Sequence, residues 1–122
     1  MLRILIVDDF EPWRNYLRAL LEGRSGWQVV GEAADGLQAV EKAEALKPDL
    51  ILLDISMPQL NGIKAAERIR EISPQSKMLF VSVERSIELA EAAEKIGADG
   101  YIPKADARSK LLPAIDALHL GK

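Results

Sequence analysis

The chain contains no cysteine. That excludes a disulfide framework and any thiol chemistry. It also has no basic excess: 16 Lys and Arg stand against 19 Asp and Glu, for a net charge of -3. A nucleic-acid-binding surface shows itself as clustered positive charge, so direct nucleic-acid binding by this chain is not expected. No apolar run approaches the length needed to cross a bilayer, so no membrane partner is expected either. The opening "MLRILIVDD" holds an apolar stretch too short for a signal-peptide core, and it ends on two acids. A cytoplasmic location fits these absences. No linker, low-complexity tract or strong repeat divides the chain. What remains is 122 residues, 48% hydrophobic and 29% charged, which is enough for one domain over 1–122 with one real core.

Short apolar runs alternate with longer amphipathic segments. The strand candidates are "RILIVD" (3–8), "WQVVGEA" (27–33), "DLILLD" (49–54), "KMLFVS" (77–82) and "GYIP" (100–103). They are rich in Ile, Val and Leu, and most are bounded by Gly, Pro or Asp. Helical spacing fills the gaps. Trp13, Leu17, Leu20 and Leu21 form one stripe, with Pro12 suited to a first turn and Gly23 to a stop. Leu37, Val40, Ala43 and Leu46 form a second, and Ile63, Ala66, Ile69 and Ile72 a third. Leu89, Ala93 and Ile96 give a thinner one; Leu111, Leu112, Ile115 and Leu118 give the last. Pro113 fits that last helix only if the helix begins near Ser109, so that the missing N–H falls close to the unpaired first turn. Strict β–α alternation implies an α/β fold, a parallel sheet with helices on both faces. The strands are almost wholly apolar, as strands buried on both sides should be.

Why, then, does the buried run Leu50 to Leu53 stop on a carboxylate, Asp54? In an open parallel sheet, ligands bind beyond the carboxyl ends of the strands, at the switch point of strand order. Asp8 and Asp9 follow the first strand, Asp54 the third, Ser82 closes the fourth, and Lys104 lies just past the fifth. Each alone has a plainer reading as a helix or turn cap or a surface residue. Together they converge on one patch if strands one, three, four and five are neighbours. Three close carboxylates repel; two charges 4 Å apart cost about 4 kcal/mol at an effective dielectric near 20. Mg²⁺, which takes oxygen ligands, would offset that, and Lys104 would add positive charge. A carboxylate so placed can accept a phosphoryl group as an aspartyl-phosphate, with Ser82 donating to a phosphoryl oxygen.

At these residues the chain resembles a bacterial two-component response-regulator receiver domain. "ILIVDD", "AADGLQAVEKAEALKPDLILLDISMPQLNGIKAAERIR", "FVSVE" and "GADGYIPKAD" match that family's pattern in order and spacing over essentially the whole chain. The resemblance implies a doubly wound, flavodoxin-like five-stranded parallel sheet in order 2-1-3-4-5. It implies that Asp54 accepts a phosphoryl group from a sensor histidine kinase or a phosphotransfer protein. Asp9, Asp54 and the backbone carbonyl of Ser56 would bind Mg²⁺, with Asp8 acting through water. Lys104 would pair with the phosphoryl group or Asp54. Ser82 would move towards the phosphoryl group and Tyr101 would turn inwards, remodelling the face of the fourth helix, fifth strand and fifth helix. Within the family, "DISMPQLNGIKAAERIR" and "GADGYIPKAD" look most like receivers of NarL/LuxR-type transcriptional regulators. Only "LGK" follows the fifth helix, so an effector domain is not expected within this chain: it would be either a receiver cut from a longer regulator, which the similarity favours, or a stand-alone receiver, and pairing with a second copy is common among such receivers.

Some positions depart from the family. Val83 follows Ser82 where a smaller residue is usual, and its branched side chain is expected to restrict access to the site. Ser56 and Glu84 occupy positions that in the family tune phosphoryl lifetime. Proline precedes Lys104 and Ala105 follows it, which leaves the isomer of the Lys104–Ala105 bond open. His119, the only histidine, is expected to be exposed on the last helix, without a phosphodonor role. Trp13 and Trp27 are expected to be packing residues rather than ligand stackers. Three rival functions follow from the same residues. An aspartyl phosphatase would need a second acid near Asp54, but Ser56 stands two residues on. A flavodoxin-like cofactor binder would want a Gly- or Ser-rich phosphate loop where "DDFEPW" is acidic. A pseudo-receiver would keep the fold without phosphorylation.

Overall fold

The computed structural model describes residues 1–57, 59–83 and 87–118. Glu84 and His119 therefore lie outside the described residues, as do Pro58 and Ser86. Five β–α units follow in order: β1 (Leu2–Val7), α1 (Glu11–Glu22), β2 (Trp27–Ala33), α2 (Gly36–Leu46), β3 (Leu50–Leu53), α3 (Gly62–Ile72), β4 (Lys77–Ser82), α4 (Ile87–Lys95), β5 (Gly100–Pro103) and α5 (Ala107–Ala117). All four strand pairings are parallel and the order is β2-β1-β3-β4-β5, the doubly wound arrangement that the resemblance implied.

The sheet divides the core in two. Ile4, Ile6, Leu50, Leu52, Leu79 and Val81 face α1 and α5, meeting Leu17, Leu21, Leu111 and Ile115. Leu5, Val7, Ile51, Leu53, Met78 and Phe80 face the other side, meeting Ala39, Ala43, Ala65, Ala66, Ile69 and Ala93 from α2, α3 and α4. Because every central strand is covered twice, its side chains are apolar at successive positions rather than alternately. Side-chain caps start two helices: Asp35 accepts from the Gln38 N–H at 2.8 Å, and Asn61 from the Lys64 N–H at 3.0 Å.

Three sequence expectations are corrected. The acids Asp8 and Asp54 are the first residues after their strands rather than the last within them, because β1 ends at Val7 and β3 at Leu53. The α2 stripe is shifted: Leu37 is exposed, and Gly36, Ala39 and Ala43 are buried, since α2 packs too closely for leucine on that face. The helix α5 begins at Ala107 rather than near Ser109, which puts Pro113 inside it. Ala107, Leu111 and Ile115 fall on one buried face and their burial holds the helix together, while Pro113 points to solvent. Among the described residues every peptide bond is trans, including Lys104–Ala105. No helix among them is long and apolar enough to cross a membrane.

Candidate functional site

Sheet register assembles the site. Val7 is opposite Leu53, so Asp8 and Asp54 leave neighbouring strands side by side at the point where strand order reverses. The Asp54 N–H continues the ladder, donating to the Val7 carbonyl at 3.0 Å. Ser82 is opposite Pro103 at the far end of the β4–β5 ladder, and Lys104 comes next. One edge of the sheet thus delivers two carboxylates, a hydroxyl and an ammonium to one place.

Asp8, Asp54 and Ser82 are 1%, 4% and 0% exposed, whereas Asp9 is exposed. Ligand oxygens of Asp8, Asp9 and Asp54 all lie within 4.8 Å of one another. Lys104 Nζ is 2.7 Å from Asp8 Oδ2 and 3.8 Å from Asp54 Oδ2. Backbone donors fix the other carboxylate oxygens: the Phe10 N–H donates to Asp8 Oδ1 and the Ile55 N–H to Asp54 Oδ1, each at 2.8 Å. Burial and the nearby Asp8 charge push the Asp54 carboxyl above its ordinary range, and Lys104, a hydrogen bond with Ser82 and the Ile55 N–H only partly oppose this. Three carboxylates and one ammonium make up the site, so negative charge is in excess.

The residues fit a divalent cation of the Mg²⁺ kind. The side-chain donors are carboxylate oxygens, and such a cation takes oxygen ligands. Asp8 Oδ2 is buried with no hydrogen-bond partner among the described residues beyond its ion pair with Lys104, so it keeps acceptor capacity for a metal-associated water.

The remaining expected site residues are placed as follows. Ser56 is exposed on the turn after Ile55. Val83, the residue after Ser82, is 67% exposed. Tyr101 lies opposite Phe80 in β5, half-buried against the α3–α4 side of the core. It lines a cavity of about 210 Å³ between α4 and β5. Trp27 lies at the opposite end of the sheet under the Arg24 guanidinium, 4.4 Å from the ring centroid.

Three contributors escaped the sequence reading. Gly62 packs on the Asp54–Ile55 backbone so closely that a Cβ there would be 2.0 Å from the Asp54 carbonyl oxygen. Its position after the capping Asn61 was the available signal. Arg14 donates to the Asp8 carbonyl at 2.8 Å and pairs with Glu32 at 2.9 Å, which ties the β1–α1 turn to β2. Burial would raise the Glu32 carboxyl, but hydrogen bonds from Arg18 and Arg14 outweigh it and hold that carboxyl low. Trp13, which does pack on the core as expected, also places its ring over Lys104, with Nζ 5.1 Å from the centroid.

Comparison with known proteins agrees with this geometry. The family model for the response regulator receiver domain matches residues 4–116. The chemotaxis protein CheY of Thermotoga maritima is 38% identical over 114 residues, covering 93% of this chain and 94% of that one. The nitrate/nitrite response regulator protein NarL of Escherichia coli is 39% identical over 119 residues, covering 98% of this chain but only 55% of NarL. Among solved structures, a LuxR-family two-component response regulator from Aurantimonas sp. SI85-9A1 superposes with a TM-score of 0.91 at 33% identity, over 98% of this chain and 86% of that one. The chain therefore belongs to the response-regulator receiver domain family.

Proposed function

We propose that this chain is a phosphorylation switch in which Asp54 accepts a phosphoryl group from a phosphohistidine on a sensor kinase or phosphotransfer protein. One observation carries the reading: a buried Asp54 stands beside a second buried carboxylate, Asp8, with Lys104 reaching both at 3.8 and 2.7 Å, at the switch point of the sheet. Asp54 Oδ1 is tied to the Ile55 N–H, which leaves Oδ2, on the Lys104 side, as the nucleophile. The Oδ2–P bond forms as the donor's P–N bond breaks, and the electron pair returns to the imidazole nitrogen. Lys104 offsets charge on the phosphoryl oxygens. Asp9, Asp54 and the Ser56 carbonyl would hold Mg²⁺, with Asp8 holding it through water. When bound, Mg²⁺ supplies the positive charge that the raised Asp54 carboxyl lacks in its absence.

A phosphoryl group adds strong negative charge and acceptor oxygens. The buried Ser82 hydroxyl is the donor positioned to turn towards them, and the cavity beside Tyr101 gives that ring somewhere to go. These shifts would carry the signal to α4, β5 and α5. Val83, exposed next to Ser82, would gate small donors and water. Ser56 stands where an aspartyl phosphatase would hold its second acid, which favours a switch over steady turnover. The chain spans about half of NarL; output through a separate DNA-binding domain, a cytoplasmic location and pairing with a second copy are what the resemblance to NarL/LuxR-type receivers implies.

The test is intact-protein mass after incubation with acetyl phosphate. A single phosphoryl adduct is expected with Mg²⁺, and none without it or in Asp54→Asn. Absence of the adduct from wild type with Mg²⁺ would leave a partner-binding pseudo-receiver as the reading.

A further inference from the structure

The surroundings of Lys104 are more specific than a carboxylate pair requires. Three groups face its Nζ: Asp8 Oδ2 at 2.7 Å, Asp54 Oδ2 at 3.8 Å and the Trp13 ring, whose centroid is 5.1 Å away. The Lys104 side chain is only 14% exposed, so the ring acts on an ammonium already largely stripped of water. That is the condition in which attraction between a cation and an indole face is strongest.

The ring is held from three directions. Trp13 is in the first turn of α1, and its N–H donates to the Phe10 carbonyl at 3.0 Å. Phe10 in turn donates its own N–H to Asp8 Oδ1, so a single turn fixes both Asp8 and Trp13. Tyr16 packs on the other part of the indole, with ring centroids 5.1 Å apart. The rest of the ring rests on the α1–α5 side of the core. The indole N–H is buried without a hydrogen-bond partner among the described residues. A tryptophan serving packing alone would normally turn that N–H to an acceptor or to water. Here the ring turns its face to Lys104 while its N–H meets no acceptor among the described residues.

We propose that Trp13 is a positioning residue for Lys104: its ring face stations the ammonium beside Asp8 and within reach of Asp54, ready for an incoming phosphoryl group. The proposal deepens, and rests on, the reading of Asp54 as the phosphoryl acceptor. Without the ring, Lys104 keeps its charge but loses the wall that confines it, and less of the population holds it where a phosphoryl oxygen would arrive.

Two measurements test this. The first is the second-order rate of phosphorylation by acetyl phosphate with Mg²⁺. Trp13→Leu should slow it about two- to thirty-fold, the range spanned by a cation–π contact. Trp13→Phe, which restores an aromatic face, should recover most of the loss, and urea unfolding checks that both variants are folded. The second is Trp13 emission in a Trp27→Phe background without metal, where Trp13 is the sole tryptophan. Lys104→Met should change its intensity or wavelength, because the ring loses its cation. An emission indifferent to Lys104→Met overturns the proposal. So does a Trp13→Leu rate equal to wild type, or a rate no better in Trp13→Phe than in Trp13→Leu. If wild type takes up no phosphoryl group while the emission still responds, the ring–ammonium contact stands and the phosphoacceptor reading is the one at fault.

Discussion

Lys104→Met is the most informative single perturbation of the resting site. The substitution keeps an unbranched apolar stem of similar length, so it removes a charge without opening a large cavity. At an effective dielectric near 20, the 2.7 Å contact with Asp8 is worth about 6 kcal/mol and the 3.8 Å contact with Asp54 about 4 kcal/mol of gross attraction. Desolvation of the ammonium cancels much of this, and breaking a buried pair by removing one partner typically costs about 3–5 kcal/mol net. Asp54 sets a ceiling. Its carboxyl is already raised by burial and by Asp8, and without the lysine it rises further, which limits the cost of leaving it unpaired as pH falls. The expected loss at neutral pH is therefore about 3 kcal/mol, near the lower end of that range, or roughly 10 °C in Tm for a domain of this size. The assay is thermal and urea unfolding followed by circular dichroism in EDTA. Mildly acidic buffer should shrink the loss, as should saturating Mg²⁺, which binds the folded state alone. In an Asp54→Asn background the same substitution should cost clearly less, because one of the two stranded carboxylates is gone. A Lys104→Met protein as stable as wild type in EDTA would refute the reasoning. A loss that is unchanged in the Asp54→Asn background would refute it equally.

Asp54→Asn should itself stabilise the metal-free protein at neutral pH. The folded carboxyl of Asp54 protonates more readily than the unfolded one, so its stability contribution is full below the ordinary value of 3.8 and is lost as pH rises through the raised folded value. Urea midpoints of the two proteins should therefore diverge with rising pH in favour of Asp54→Asn, and a gap that closes with rising pH contradicts the cause assigned here. Gly62→Ala places a Cβ 2.0 Å from the Asp54 carbonyl oxygen and 2.7 Å from Ile55 Cα, so the backbone carrying Asp54 must move. It should cost about 1–3 kcal/mol of stability. It should also slow acetyl-phosphate labelling by on the order of 100-fold, as for an ångström-scale misplacement; labelling at the wild-type rate would show that the turn yields harmlessly. Pro113→Ala restores an N–H in mid-helix at an exposed position and should raise stability by about 1 kcal/mol by urea titration. A decrease would mean that the proline's restriction of the unfolded chain outweighs the restored bond.

Much of this site was legible because its residues punctuate strands. An apolar run ending on Asp54, another on Asp8 and a third on Ser82 carry a periodicity and a stop that local sequence displays. The strand order that makes them neighbours came from the resemblance, not from the runs themselves. The misread positions depend on distances between elements. Leu37 has the right spacing for a buried stripe, but α2 approaches its neighbours closely enough that a Cβ on Gly36 would lie 1.8 Å from the Leu60 carbonyl oxygen, and small residues take the buried face. Pro113 argued for a late helix start, yet Ala107 is buried in register with Leu111 and Ile115, and that packing outweighs one missing hydrogen bond. Trp13 was legible as a stripe residue of α1. That its face meets a lysine following β5 is a fact about the assembled fold, and no window of sequence contains both.

The strand order also apportions rigidity. β1 and β3 are paired on both sides and buried on both faces, whereas β5 is a four-residue edge strand paired only with β4. Local opening free energies follow such differences, so backbone amides of β1 and β3 belong to the slowest-exchanging part of the molecule and those of β5 to a faster one. Asp54, the proposed acceptor, is mounted on the slow ground, Lys104 on the fast ground, and Ser82 on the strand between them. Under the proposed switch, a covalent event at Asp54 would act like a load applied at a fixed support: the displacement would fall on the edge of the sheet with the fewest restraints, where a partner could feel it.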